Sequence, residues 1–364
     1  MRFDRLEIAY FRNLSSVTLD LNPGLNFFYG PNGAGKTAVL EAAHLLGRGR
    51  SFRTHRARTL IQHESESLIV RATIDDELRG AQTVVISKNC AGHTELKING
   101  VPERRLSELA RLVPLQVMLP DIGELVFGGP QIRRQWLDWG TFHVKPEYLR
   151  SLRSYLRALK QRNAALKQVG SSAADVVPWS AQLVLAAQAV DQQRAAYIEE
   201  LAPEFVYTIG RLAPELDVQL TYRRGWPDGE SLDKVLGEWA PREVKSGVTQ
   251  VGPHRADIEL RVGNSKASAV LSRGQGKAVA SALKVSQARL LARSNHRGSV
   301  FLIDDVGAEL DESHNSRFFE MLNEMGCQIL ATSTQRLPGE NQFANDRINV
   351  FHVEHGTVHR SANG

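Results

Sequence analysis

Apolar and polar positions alternate in several short runs near the N-terminus. Val17, Leu19 and Leu21 form one, and Ile69 to Ile74, Thr83 to Ser87 and Glu95 to Ile98 give others. A period of two sends successive side chains to opposite faces, so these runs predict antiparallel strands with one buried face. Leu25-Asn26-Phe27-Phe28-Tyr29 is different, since it reads as a short buried strand and is followed after Thr37 by Val39, Leu40, Ala43 and Leu46 at helical spacing. The character then changes. Leu149, Leu152, Leu156, Leu159 and Leu166 recur at spacings of three and four, with Asn163 in the remaining seam position. Beyond the turn Gly170-Ser171-Ser172, Leu183, Val190 and Tyr197 recur every seven residues. Two helices a few turns long, joined by a short polar loop, predict an antiparallel hairpin whose stripe is core packing. Strands resume after Pro214 with Val218 to Tyr222 and Ile258 to Val262. Ala280, Leu283, Ala288 and Leu291 then mark a long helix, and Val300-Phe301-Leu302-Ile303 has the β-branched, apolar content of a buried parallel strand. Gln328 to Ala331 predicts one more strand.

Composition narrows the class. With 364 residues, 42% hydrophobic and 23% charged, the chain is expected to be a soluble globular protein of two lobes. No run approaches the roughly 18 apolar residues of a membrane span, and Met1-Arg2-Phe3-Asp4 lacks the plan of a signal peptide. Only Cys90 and Cys327 are present, so a disulfide framework is not expected and a reducing cytoplasm fits. The same scarcity argues against structural zinc. The net charge is +5, with a pI near 9.2, and its distribution says more than its size. Arg48, Arg50, Arg53, Arg56 and Arg58 crowd one segment around His55, and Arg150, Arg153, Arg157, Lys160, Arg162 and Lys167 line a later helix. Such density suits phosphate-backbone contact without base reading. The alternatives are a solvated helix face, and Arg50 and Arg53 turned inward to a nucleotide.

Three segments carry the chemistry. Gly30-Pro31-Asn32-Gly33-Ala34-Gly35-Lys36-Thr37 matches the phosphate-loop pattern at every position and lies between a strand and a helix. Its backbone N–H groups would cradle phosphates, Lys36 would neutralise the β- and γ-phosphates of ATP, and Thr37 would offer a hydroxyl to Mg²⁺. Asp304 and Asp305 end the strand at Ile303, where a carboxylate faces the ligand crevice of a parallel sheet. Asp304 is the Mg²⁺-side carboxylate, directly or through water. Leu271-Ser272-Arg273-Gly274-Gln275 opens the long helix with Ser272 as N-cap, making an anion site of the free N–H groups. In a single subunit that site faces solvent, and its use is to receive the γ-phosphate of ATP held by a second one.

The order of these motifs resembles the ATP-binding-cassette ATPases of the SMC kind, and among them the RecF family of bacterial recombination mediators. Stretches outside the nucleotide motifs support the second: Tyr10-Phe11-Arg12-Asn13, Gly49-Arg50-Ser51-Phe52-Arg53-Thr54, and Gly128-Gly129-Pro130 with Arg133-Arg134 and Leu137-Asp138. Lys160-Gln161-Arg162-Asn163, Gly252-Pro253-His254-Arg255 and Glu309-Leu310-Asp311 complete them, so the likeness runs from end to end. Two departures stand out: Arg273 replaces the glycine of transporter cassettes, and Ala256 sits where many relatives have an acid.

The resemblance implies an α/β head with a phosphate-loop sheet, a flanking antiparallel β-layer and an inserted helical lobe. The expected divisions are 1–120 and 214–364 for the two halves of the ATPase lobe and 121–213 for the insertion. Asp305 would orient the attacking water where relatives usually have Glu, so hydrolysis would be slow. Gln116 would sense the γ-phosphate, Ser333 or Thr334 would stand in for a switch histidine, Arg12 would meet the nucleotide, and Glu309 and Asp311 would cross a dimer interface. The implied task is that of an ATP-dependent homodimer, cytoplasmic and nucleoid-associated, with no membrane partner. It would clamp gapped, single-stranded or junction DNA without sequence specificity and aid RecA loading with RecR and RecO. Arg50, Arg53, Arg56, Arg58, Arg153, Arg157 and Lys160 are its expected DNA contacts. A nucleotide-switched scaffold and a transporter nucleotide-binding subunit are the competing classes. The latter should present an apolar groove rather than an arginine-dense loop, and a GTPase would need an Asn-Lys-x-Asp segment that is missing.

Overall fold

A computed structural model describes residues 1–54, 56–76, 79–168, 172–306, 312–336 and 347–361. The chain divides into two compact units, one of Met1–Ile122 with Leu291–Gly364 and one of Gly123–Leu290.

The first unit begins with the alternating strands. β1 (Arg2–Phe11) pairs with β2 (Leu14–Asp20) and, beyond β3 (Leu25–Tyr29) and α1 (Lys36–Arg48), with β4 (Ser67–Asp76). β5 (Gly80–Asn89), β6 (Thr94–Ile98) and β7 (Val101–Glu103) extend this antiparallel sheet in the order β2-β1-β4-β5-β6-β7. After α2 (Leu106–Leu112) and β8 (Leu115–Met118) the chain leaves for the second unit. It returns through β12 (Val300–Ile303), α10 (Glu312–Glu324), β13 (Gln328–Ser333), β14 (Ile348–Glu354) and β15 (Thr357–Arg360). The second sheet runs β15-β14-β3-β13-β12-β8, parallel except for β15. Its strands are apolar without alternation because both faces are covered: all four residues of β12 and all six of β13 are buried. Helix α1 explains why. It is buried from Ala38 through Gly47 with no polar stripe, as a helix packed against both β4 and β13 must be.

The second unit opens with α3 (Glu124–Phe127), α4 (Pro130–Val144), and a hairpin of α5 (Tyr148–Leu166) on α6 (Ala173–Leu212). β9 (Gln219–Arg223), α7 (Leu232–Ser246), β10 (Asp257–Val262) and β11 (Ser265–Lys266) follow, with the strands in the order β11-β10-β9. α8 (Ala267–Val270) and α9 (Arg273–Asn295) close it. Gly170 and Ser171 of the expected turn lie outside the described residues, and Ser172 caps α6 by a reciprocal bond pattern with Asp175.

Three expectations about this unit change. α6 is 40 residues long, about 60 Å at the helical rise, rather than a few turns. The α5 seam is displaced by one residue: Tyr148, Tyr155 and Arg162 are buried with Leu166, whereas Leu156 is 49% exposed. Leu152 and Leu159 stay on the seam, packed partly buried against the core. The reason is that both tyrosines satisfy their hydroxyls inside, Tyr148 on Asp138 at 2.6 Å and Tyr155 on His254 at 2.6 Å. Arg162 pairs with the equally buried Glu243 at 2.7 Å, so it belongs to the core and not to a basic surface. Finally, the junctions fall at 122/123 and 290/291, so residues 214–290 pack with the helices instead of with the parallel sheet.

Candidate functional site

β3 delivers the chain into the loop at Gly30, whose φ of 151° and close approach to the Val353 carbonyl leave no room for a side chain, since a Cβ there would come within 2.1 Å. Gly35 precedes the first turn of α1, so the free N–H groups of that turn face the loop. Lys36 folds back over it, donating to the Gly30 and Pro31 carbonyls at 2.8 and 2.9 Å. Burial pushes its ammonium pKa down, opposed by the nearby Asp305 and Asp304. Across the loop, the Thr37 hydroxyl donates to the Asp304 carboxylate at 2.9 Å. Arg12, Asn13, Asn32, Arg53, Pro120 and Thr334, among others, wall a cavity of about 600 Å³ over the loop and the two aspartates.

Four further residues hold this geometry, and spacing alone did not reveal them. Thr332, on β13 beside β12, donates its hydroxyl to Asp304 at 2.7 Å and accepts the Asp305 N–H at 2.9 Å. That second bond holds Asp305 in a left-handed backbone conformation, φ 61°, which is unusual for a residue with a side chain. Glu41, fully buried on α1, receives a bidentate pair from Arg12 at 2.7 and 2.9 Å and a bond from Ser51. Ser51 in turn accepts the N–H groups of Arg53 and Thr54, at 2.8 and 3.1 Å. One carboxylate thus anchors both the strand-end arginine and the start of the arginine-rich segment. Asn13 caps the loop from outside by donating to the Gly33 and Ala34 carbonyls at 3.2 and 3.0 Å. The sequence signal for Glu41 was an acid among apolar residues on a helix that turns out to have no solvent face.

The other expected residues distribute unevenly. Arg12 lines the cavity, although its guanidinium is already committed to Glu41 and to the Thr59 carbonyl at 2.7 Å. Gln116 is 1% exposed on β8 and is absent from the cavity wall. Ser333 is buried and accepts from the Gln335 N–H at 3.3 Å. Its neighbours Thr332 and Thr334 reach the cavity instead, as strand alternation requires. Glu309 and Asp311 lie outside the described residues, as does His55.

In the second unit Ser272 is exposed and caps α9 by a capping box, its hydroxyl accepting the Gln275 N–H at 3.2 Å while Gln275 accepts the Ser272 N–H at 2.9 Å. Gly274 has open space around it. Of the basic residues, Arg50, Arg53, Arg56 and Arg58 are exposed, and Arg53 is the one that also lines the cavity. Arg48 is half-buried instead, and desolvation, with the charge of Arg50 behind it, brings its guanidinium down to about 10. On α5, Arg153, Arg157 and Lys160 are exposed, and none has a carboxylate within ion-pair reach among the described residues.

Residues 2–359 match the model of the RecF/RecN/SMC N terminal domain. The DNA replication and repair protein RecF of Pseudomonas syringae pv. tomato is 38% identical over 359 residues, 98% of either chain. RecF of Pseudomonas aeruginosa strain LESB58 is also 38% identical, over 98% of this chain and 97% of its own. Among solved structures, the recombination mediator RecF with ATP, of the RecFOR pathway, superposes with a TM-score of 0.86 at 24% identity, covering 99% of this chain and 98% of its own. An Smc head bound to the C-terminal winged-helix domain of ScpA gives 0.61 at 15% identity, with 99% and 98% covered. The α/β head and the inserted helices are therefore of the SMC type, and the chain belongs to the RecF family.

Proposed function

We propose that this chain is an ATP-switched, DNA-binding protein of recombinational repair and replication, cytoplasmic and nucleoid-associated. The observation that carries the reading is the convergence of Lys36, Thr37, Asp304 and Asp305 on one cavity, with an exposed, serine-capped helix start held elsewhere in the same chain. ATP would lie over the loop with its phosphates on the backbone N–H groups. Lys36 would then exchange two carbonyls for phosphate oxygens. A hydroxyl and a carboxylate already within hydrogen-bond distance suit a hard cation, so Thr37 and Asp304 would hold Mg²⁺, which neutralises phosphate charge when bound. Asp305 orients the attacking water, one methylene shorter than glutamate, and turnover is slow.

The Ser272 N-terminus of a second copy would complete the γ-phosphate's partners. Affinity for ATP and affinity between subunits are then one coupled quantity. Closure would gather the arginine-rich segment and the α5 basic face on DNA, with gapped or junction DNA as substrate and RecO, RecR and RecA as the pathway partners. The family relationship supports those last roles. The test is binding of a labelled gapped duplex at two salt concentrations, with Mg·ATP and without nucleotide, beside Lys36→Met. Binding that ATP strengthens, that salt weakens and that the variant loses is the expected result. No binding in any condition would make the arginines structural and leave a nucleotide-switched scaffold.

A further inference from the structure

The segment Gly252-Pro253-His254-Arg255 lines no part of the nucleotide cavity, yet it is held by several side-chain hydrogen bonds. It forms a single 3-10 turn at Pro253–Arg255, entered through Gly252 at φ 126°. Arg194, 3% exposed, donates to the Pro253 carbonyl at 2.7 Å and is itself held by Asp138 at 2.6 Å and the Tyr148 hydroxyl at 2.9 Å. His254 is gripped from both sides. Its Nε2 donates to the Thr249 carbonyl at 2.9 Å, which leaves Nδ1 as an acceptor for the Tyr155 hydroxyl at 2.6 Å. Burial lowers His254 to about 4, so the ring is neutral near neutral pH. A Cβ on Gly252 would come within 3.0 Å of the Tyr155 hydroxyl, so the chain threads closely past it.

What this scaffold presents is positive. Arg255 ends the turn with its side chain exposed. Arg134 reaches the next residue from α4, donating to the Ala256 carbonyl at 2.9 Å. The carboxylates of this neighbourhood are already taken, Asp257 bidentately by Arg133 at 2.7 and 2.9 Å and Asp138 by Arg194. Among the described residues neither Arg134 nor Arg255 has a carboxylate within ion-pair reach. Burial holds the Arg134 pKa down, opposed by Asp257 and Asp138 and assisted by Arg194 and, least, by Arg255. A guanidinium with no carboxylate in ion-pair contact keeps donors that an anion can take up.

We propose that Arg134 and Arg255 form a phosphate-binding pair on the second unit, taking two backbone phosphates of nucleic acid. It rests on the reading of this chain as a DNA-binding protein, and it is separate from the arginine-rich segment of the first unit. Guanidinium forks match phosphate oxygens bidentately, and the neutral His254 fixes the turn without adding a titrating charge.

The experiment uses the full chain with Mg·ATP, a fluorescein-labelled gapped duplex and a labelled oligo-aspartate peptide, titrated between 50 and 200 mM salt. Each lost phosphate contact removes about 0.9 from the salt slope, so Arg134→Gln/Arg255→Gln should lower it by about 1.8. The variant's loss of affinity over that range should then be about 12-fold smaller than the wild type's. Arg255→Lys should keep most of the slope, and ATP affinity should be unchanged in all variants. A wild-type slope in the double variant, beside normal duplex binding by the wild type, overturns this proposal alone. Wild-type protein that binds no duplex overturns both it and the proposed function. Oligo-aspartate binding that the double variant loses, with duplex binding intact, reassigns the pair to an acidic protein partner and overturns the nucleic-acid reading.

Discussion

Thr332→Val is the sharpest perturbation of the candidate site, because it exchanges a hydroxyl for a methyl group of similar size. It deletes two bonds at once, the 2.7 Å bond donated to Asp304 and the 2.9 Å bond accepted from the Asp305 N–H. A bond to an ionised group is worth about 1.5–3 kcal/mol, and a buried N–H left without a partner costs about 1–3 kcal/mol. Since the two share one oxygen they do not simply add, and about 3 kcal/mol is a fair total. The Asp305 backbone, left-handed at φ 61°, is then free to relax, moving the carboxylate that positions water. Lys36 and the loop amides are untouched, so nucleotide binding without metal should not change. If half the lost energy is felt in the reacting state, kcat falls about tenfold, since 1.4 kcal/mol corresponds to a factor of ten. Single-turnover hydrolysis of Mg·ATP beside titration of a fluorescent nucleotide separates the two quantities. Thr332→Ser, which restores the hydroxyl, should recover most of the rate. A kcat for Thr332→Val within twofold of the wild type would refute the reasoning.

Arg162→Ala leaves Glu243 charged and fully buried, so the second unit should lose about 3–5 kcal/mol, and Arg162→Met/Glu243→Leu should regain most of it in urea unfolding. His254 has a folded pKa of about 4 against an ordinary 6.5, so its neutral form stabilises the fold fully above pH 6.5 and loses that contribution as pH falls toward 4. The loss amounts to at most about 3 kcal/mol, and unfolding of His254→Asn should lack that part of the pH dependence. Burial raises the Cys327 thiol to about 12 while Cys90 is exposed, so a thiol reagent at pH 8 should label one cysteine in the folded chain and both in denaturant.

Much of the nucleotide half was legible because its signals are local. The strands Leu25–Tyr29 and Val300–Ile303 end at the residues where their apolar runs end, and the loop needs its glycines at fixed offsets. Where a partner lies far along the chain, periodicity fails. The α5 stripe of leucines reads as the seam, but Tyr155 and Arg162 win the buried positions because His254 and Glu243, distant in sequence, satisfy them. Position alone leaves Ser333 and Thr334 as equal stand-ins for a switch residue, and the structure puts Thr334, with Thr332, on the cavity wall and leaves Ser333 off it. Gln116 shows the same limit, since a glutamine at a strand's second residue carries no sign of which face it takes. Composition puts the return to the first unit too early, because β9 and β10 resemble core strands in composition and differ only in what they pair with.

The claim that joins the two units' motifs is that ATP brings two copies together through the Ser272 helix start. Sedimentation of the purified chain with Mg·ATP and without nucleotide, beside Ser272→Arg and Lys36→Met, tests it directly. The account predicts a dimer with Mg·ATP alone, a Ser272→Arg protein that binds ATP but stays monomeric, and a Lys36→Met protein that does neither. An ATP-dependent dimer in Ser272→Arg would contradict it.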